Sequence, residues 1–188
     1  MIDDKQMAAQ LDKTGGRLPA VVDAFAILFG HTWPHVGRPP QATEPMKTLR
    51  SLHHAFKDVR AQHPTVAFWW KDEDSTILGA CSNLGVLAGL PIGASMVGLK
   101  DVDPVVSWNR QGNLYRRDDR AVLDAFTPRF DIVERQDRKD GTVWLRTSKV
   151  PFRNSAGAGT VGVFDAIDEA TARRLLTRPT PAPSRPQM

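Results

Sequence analysis

The stretch that decides the fold is residues 141–164, GTVWLRTSKVPFRNSAGAGTVGVF. Val143, Leu145, Thr147 and Lys149 alternate with Trp144, Arg146, Ser148 and Val150, the period of two that sends successive side chains to opposite faces of a sheet. Ser155, Ala156, Gly157, Ala158 and Gly159 supply a turn, after which Thr160, Val161, Val163 and Phe164 resume with β-branched and aromatic residues. Two long strands paired as a hairpin are predicted.

Working outward, VAFWWK (66–71) and TILGA (76–80) flank an acidic turn and predict a second hairpin. Between the hairpins the pattern changes to short helical pieces. NLGVLAGL (83–90) is apolar but interrupted by Gly85 and Gly89, while NLYRRDDRAVLDAF (113–126) carries its apolar residues near helical spacing with charges opposite. FDIVER (130–135) alternates again as a strand. The order is two strands, short helices, one longer helix, then three strands.

In that order, KDEDSTILGACSNLGVLAGL, VGLKDVD, LYRRDDRAVL and WLRTSKVPFRNSAGAGTVGVF resemble a PAS domain of the kind found in bacterial sensors, over roughly residues 64–168. Asn83 matches the Asn that opens that family's first short helix. Gly98 and Asp101 match its "GK-D" turn, and Lys149 with Pro151 its "K-P" strand element. Ala166, Ile167 and Asp168 depart from the Asp-Ile-Thr that ends many such domains. The resemblance implies an α+β fold: a five-stranded antiparallel sheet with short helices on one face, preceded here by N-terminal helices. It divides the chain into a helical extension (1–63), a sensor domain (64–168), and a short helix with a Pro-rich tail (169–188).

Composition fits such a protein. A chain of 188 residues that is 41% hydrophobic buries a single moderate core. Its one cysteine, Cys81, excludes an internal disulfide framework and points to a reducing cytoplasmic setting, where burial as a small hydrophobe is the expected role. No apolar run approaches the ~18 residues of a membrane span, and LPAVVDAFAILFG (18–30) is short and contains Asp23. The net charge of +4 does not point to nucleic acid. Arg116, Arg117 and Arg120 are interleaved with Asp118 and Asp119, and Arg135, Arg138 and Lys139 with Asp137 and Asp140, which reads as solvated surface.

Ahead of the sensor domain, residues 3–13 predict a short helix ending near Gly15 and Gly16, and Pro19 opens an apolar helix through Phe29. A third helix is expected from an N-cap at Thr43, with Pro45 in its first turn, to about His63, before Pro64. Leu49, Leu52, Phe56 and Val59 are spaced three, four and three along it. Such a stripe either packs on the domain's own sheet or pairs with a second copy. PAS domains resembling this one commonly dimerise through the helix that enters the domain, so a homodimer is expected, with the 18–29 helix joining the interface.

PAS domains typically hold a ligand between the sheet and the short helices. Residues 113–126 contain no His for haem, and Gly98-Leu99-Lys100-Asp101 stands where photosensory flavin domains have an Asn-Cys-Arg motif. The cofactor is therefore left unknown. His31 and His35 are separated by Pro34 and lack companion ligands, so no metal is expected. Trp69 or Trp70, which alternate on one strand, together with Trp108, Tyr115, Trp144 and Phe164, would line a flat pocket; the competing reading is a filled core. Arg146 and Lys149 lie on opposite faces of their strand, and Arg146 in the pocket would clamp an acidic ligand. No phosphate loop, nucleophile elbow or paired-Cys motif is visible, and no catalytic residue is assigned. The expected protein is a stand-alone sensor that binds a small ligand and signals through its dimer to a partner protein; the alternative is a ligand-free interaction module.

Overall fold

The computed structural model describes residues 2–138 and 140–177. Helices α1 (Asp4–Thr14), α2 (Leu18–Thr32) and α3 (Pro45–Gln62) lead into strands β1 (Ala67–Asp72) and β2 (Ile77–Ala80). Then follow α4 (Leu84–Leu87), α5 (Gly112–Ala125), β3 (Arg129–Arg138), β4 (Gly141–Asn154), β5 (Gly157–Ile167) and α6 (Glu169–Leu176). The strands form one five-stranded antiparallel sheet in the order β2-β1-β5-β4-β3, the sheet expected from the sequence.

Local chemistry sets the element ends. Asp3 caps α1 through a capping box with Gln6, and Gly15 at φ +54° stops it. Pro45 opens α3 as predicted, but the N-cap is Glu44 rather than Thr43, and no side-chain cap is formed. Asp168 caps α6, accepting from the backbone of Thr171. The Pro-rich tail lies outside the described residues.

The β4–β5 turn is tighter than the sequence suggests. Asn154 already pairs with Gly157, so only Ser155 and Ala156 form the loop, and Gly157 to Gly159 belong to the strand. Two glycines there are steric requirements rather than turn residues. A Cβ on Gly159 would sit 2.0 Å from the Lys71 carbonyl oxygen, and one on Gly162 would sit 2.3 Å from the Trp69 indole.

The sheet is covered on both faces. On its outer face, Phe68 and Trp70 meet Phe25 and Phe29 of α2 and Phe56 of α3; Phe56 stacks on Phe68 at 4.4 Å between centroids, and Trp70 Nε1 donates to Thr14 Oγ1 at 2.8 Å. The three helices therefore share one continuous core with the sheet rather than standing apart as an extension. This corrects the dimer residues. Leu49, Leu52, Phe56 and Val59 are buried within the protomer, as are Val21, Val22, Phe25, Leu28 and Phe29 of α2, because the apolar sheet face needs covering and these stripes cover it. On the inner face lie α4, α5 and the turn-rich segment between them.

Candidate functional site

Side-chain alternation delivers the inner face. β1 turns Trp69 and Lys71 inward; β4 turns Leu145, Thr147 and Lys149; β5 contributes Phe164; β3 contributes Glu134 and Gln136. In register, Trp69 and Lys149 both face Gly162, whose missing side chain leaves room for the indole to lie across β5. From above, α5 presents Tyr115 and Asp119, four residues apart on one helical face, and the α4–α5 segment presents Asp101 and Trp108.

These residues enclose a void of about 30 Å³, room for one or two water molecules. One wall is a buried charge network. Lys71 Nζ lies 2.5 Å from Asp101 Oδ2 and 3.0 Å from Asp119 Oδ2, while Lys149 Nζ lies 2.7 Å from Asp119 Oδ1 and donates to the Tyr115 carbonyl at 3.3 Å. Trp108 Nε1 donates to Asp101 Oδ1 at 3.0 Å. All four charged side chains are buried, so each ion depends on its partners for the solvation it has lost. Burial pulls the Lys71 ammonium down, yet Asp101 and Asp119 together hold it above its ordinary range. Burial pushes Asp119 up, and Lys71 with Lys149 outweighs that and keeps its carboxyl below the usual range. Two ammonium groups facing two carboxylates leave this wall balanced.

Across the void the polar groups are less well served. Glu134 accepts from Thr147 Oγ1 at 2.6 Å through Oε2, but its buried Oε1 has no hydrogen-bond partner among the described residues, and burial pushes its carboxyl up. Trp69 Nε1 is likewise buried and unpartnered, in a residue only 6% exposed. Tyr115 is also held up, by burial and then by Glu134.

Of the pocket residues expected from sequence, the structure brings Trp69, Trp108, Tyr115 and Phe164 together. Trp70 is on the outer face, since its neighbour Trp69 takes the inner one. Trp144 and Arg146 are also on the outer face: Trp144 is half-buried beside the start of α6, and Arg146 lies 3.9 Å from Asp131. Of the two β4 cations it is Lys149 that faces the pocket, and Asp119 already neutralises it, so the acidic-ligand clamp through Arg146 fails on geometry. Asp119 is also not part of a solvated helix face.

Sequence reasoning missed Lys71, Asp101, Asp119, Glu134 and Gln136 as site residues. A signal existed for Lys71, which follows Trp69 by two on an apolar strand, and for Asp119, which shares a helical face with Tyr115 and Val122. Cys81 is buried as expected; its Sγ accepts from the Phe68 amide at 3.0 Å and donates to Asn83 Oδ1 at 2.8 Å, and burial pushes its thiol up. Among the described residues, no group of three His, Cys, Asp or Glu side chains is placed to hold a metal, and no helix is long and apolar enough to cross a membrane.

No protein-family model matches this sequence, and no curated protein matches it. Solved structures do. The phage VqmA–DPO complex aligns with a TM-score of 0.51 at 17% identity, over 66% of this chain and 57% of that one. The Vibrio cholera VqmA–ligand–DNA complex aligns with a TM-score of 0.50 at 16% identity, over 69% and 60%. The PAS domain of Bordetella pertussis BvgS aligns at 0.47 and 17% identity, over 65% of this chain and 94% of that domain. The chain thus spans less than two thirds of either VqmA chain. Its fold is PAS-like.

Proposed function

We propose that this protein is a ligand-binding sensor whose small-molecule site is the void between β1, β4, β5 and α5. The observation that carries the reading is the pair of buried groups without partners among the described residues, Trp69 Nε1 and Glu134 Oε1, set among aromatic walls. A buried donor and a buried acceptor left open each cost about 1–3 kcal/mol, and a ligand offering one of each would recover that. The charge network opposite is internally balanced, so the ligand is neutral. Entry requires the turn-rich segment between α4 and α5 to lift, because the void is too small for any metabolite. That displacement is the signal, read by a partner protein or across a homodimer.

The same small volume favours a second reading, an interaction module with no ligand. The proposal includes no catalysis. It also includes no nucleic-acid contact: Arg120 pairs with Asp124 at 3.3 Å and Arg129 with Asp118 at 3.9 Å, so part of this basic surface is already neutralised. A mobility-shift titration that gave salt-sensitive DNA binding would remove that clause. Native mass spectrometry and absorption spectra of the full chain purified from its own host test the main reading. A co-purifying small molecule at one per protomer is expected; a ligand-free mass together with a stable protein complex would leave the interaction module in its place.

A further inference from the structure

A second, larger cavity lies outside the inner void, on the far side of the sheet. It is a cleft of about 560 Å³ between the start of α1, one flank of α3 and the β2–α4 junction, a volume within the range of ligand pockets. Its floor is apolar, formed by Ile2, Met7 and Phe56, with Met7 and Phe56 buried. The walls are charged, and the charges are unevenly satisfied. At one end Arg50 is paired with Asp4 at 2.9 Å, and Asp3 is engaged as the α1 cap. His53 faces Gln10 Oε1 at 2.9 Å and is lowered to about 4 by burial and then by His54, which leaves it neutral near pH 7.

At the other end the cations have no counter-ion among the described residues. Lys57 and Arg60, three residues apart on α3, line the cleft, and neither meets a carboxylate among the described residues. Arg60 Nη1 donates to Ser82 Oγ at 3.1 Å, but its buried Nε has no partner among the described residues. A guanidinium fixed by a hydroxyl, with a spare N–H beside a free ammonium, matches a carboxylate. The adjoining floor matches a hydrocarbon or aromatic body.

We propose that this cleft binds an amphipathic monocarboxylate, its head on Lys57 and Arg60 and its body over Met7 and Phe56. Phe56 stacks on Phe68 of β1, the strand that carries Trp69 to the inner void. An occupant would therefore press on the same strand from its other face. The site stands whether or not the inner void takes a ligand.

Octanoate is a suitable probe, titrated into the labelled full chain and followed by backbone-amide chemical shifts, with 1-octanol and inorganic phosphate as controls that each carry half of the ligand. Saturable shifts at Met7, Phe56 and Ser82 are expected. Lys57→Glu, at an exposed position, and Arg60→Gln should each weaken binding at least tenfold. Either control binding as tightly as octanoate, shifts centred on Trp69 and Trp108, an affinity unchanged in Lys57→Glu, or no saturable shift would each overturn the proposal.

Discussion

Consecutive residues of β1 enter two different environments. Phe68 and Trp70 meet the rings of α2 and α3 on a dry outer face, and Trp70's one polar atom is satisfied by Thr14. Trp69 and Lys71 meet ions, an unpartnered carboxylate oxygen and a void. On the outer face, stacked and edge-on rings hold the sheet to its helices; the inner face buries polar groups whose cost is recovered only in part by the protein itself. One strand thus serves as both structural wall and site wall, because its period of two separates the roles.

Substitutions on the two faces should differ in kind. The largest effect is expected from Asp119→Ala, which removes a carboxylate shared by two buried ammonium groups and should cost about 5 kcal/mol, measured by urea unfolding. If the loss is under about 1 kcal/mol, the network is solvated and the inner face is not what it is described to be. Phe56→Ala, which empties the space against Phe68 and Phe25, should cost about 4 kcal/mol, also measured by urea unfolding. Gly162→Ala is smaller, about 2 kcal/mol of overpacking, but it pushes on the Trp69 indole and should weaken any inner ligand more than it lowers stability.

The smallest effects concern pH, and those of Glu134 and His53 have opposite signs. Burial pushes Glu134 above its ordinary range, so the folded form binds that proton more tightly than the unfolded chain, and stability declines as pH rises past about 4.5. Glu134→Gln should therefore raise the melting temperature at pH 7, by an amount that shrinks as pH falls towards 4.5. His53 is lowered from 6.5 to about 4, so the unfolded chain takes up a proton first and stability falls as pH drops from 6.5 towards 4. His53→Gln should flatten that slope. Asp119, held low, adds a further loss only below about pH 3.8. Thermal melts from pH 3 to 8 separate the three.

The sheet was legible because alternation is a local property: residues 141–164 carry it, and the order of elements upstream supports it. Which face of a strand turns inward is not local. Trp69 and Trp70 are indistinguishable until α2 and α3 are packed, and Leu49, Leu52, Phe56 and Val59 suit a dimer seam and a sheet cover equally well. The ion network was hidden for the same reason. Asp101 and Lys149 stand at motif positions, but they are joined only through Lys71 and Asp119, and Asp101 and Asp119 lie 30 and 48 positions along the chain from Lys71. Spacing in sequence does not encode such contacts.

The most direct test of the two-faced account is the indole N–H resonances of Trp69 and Trp70, assigned by Trp→Phe substitution and recorded in buffer and in small-molecule extract of the host. The account predicts that Trp69 Nε1–H, which has no partner among the described residues, moves on ligand binding together with Trp108, while Trp70 Nε1–H, tied to Thr14, stays in place. Trp70 moving as far as Trp69, or Trp69 unmoved while a partner protein binds, would contradict it.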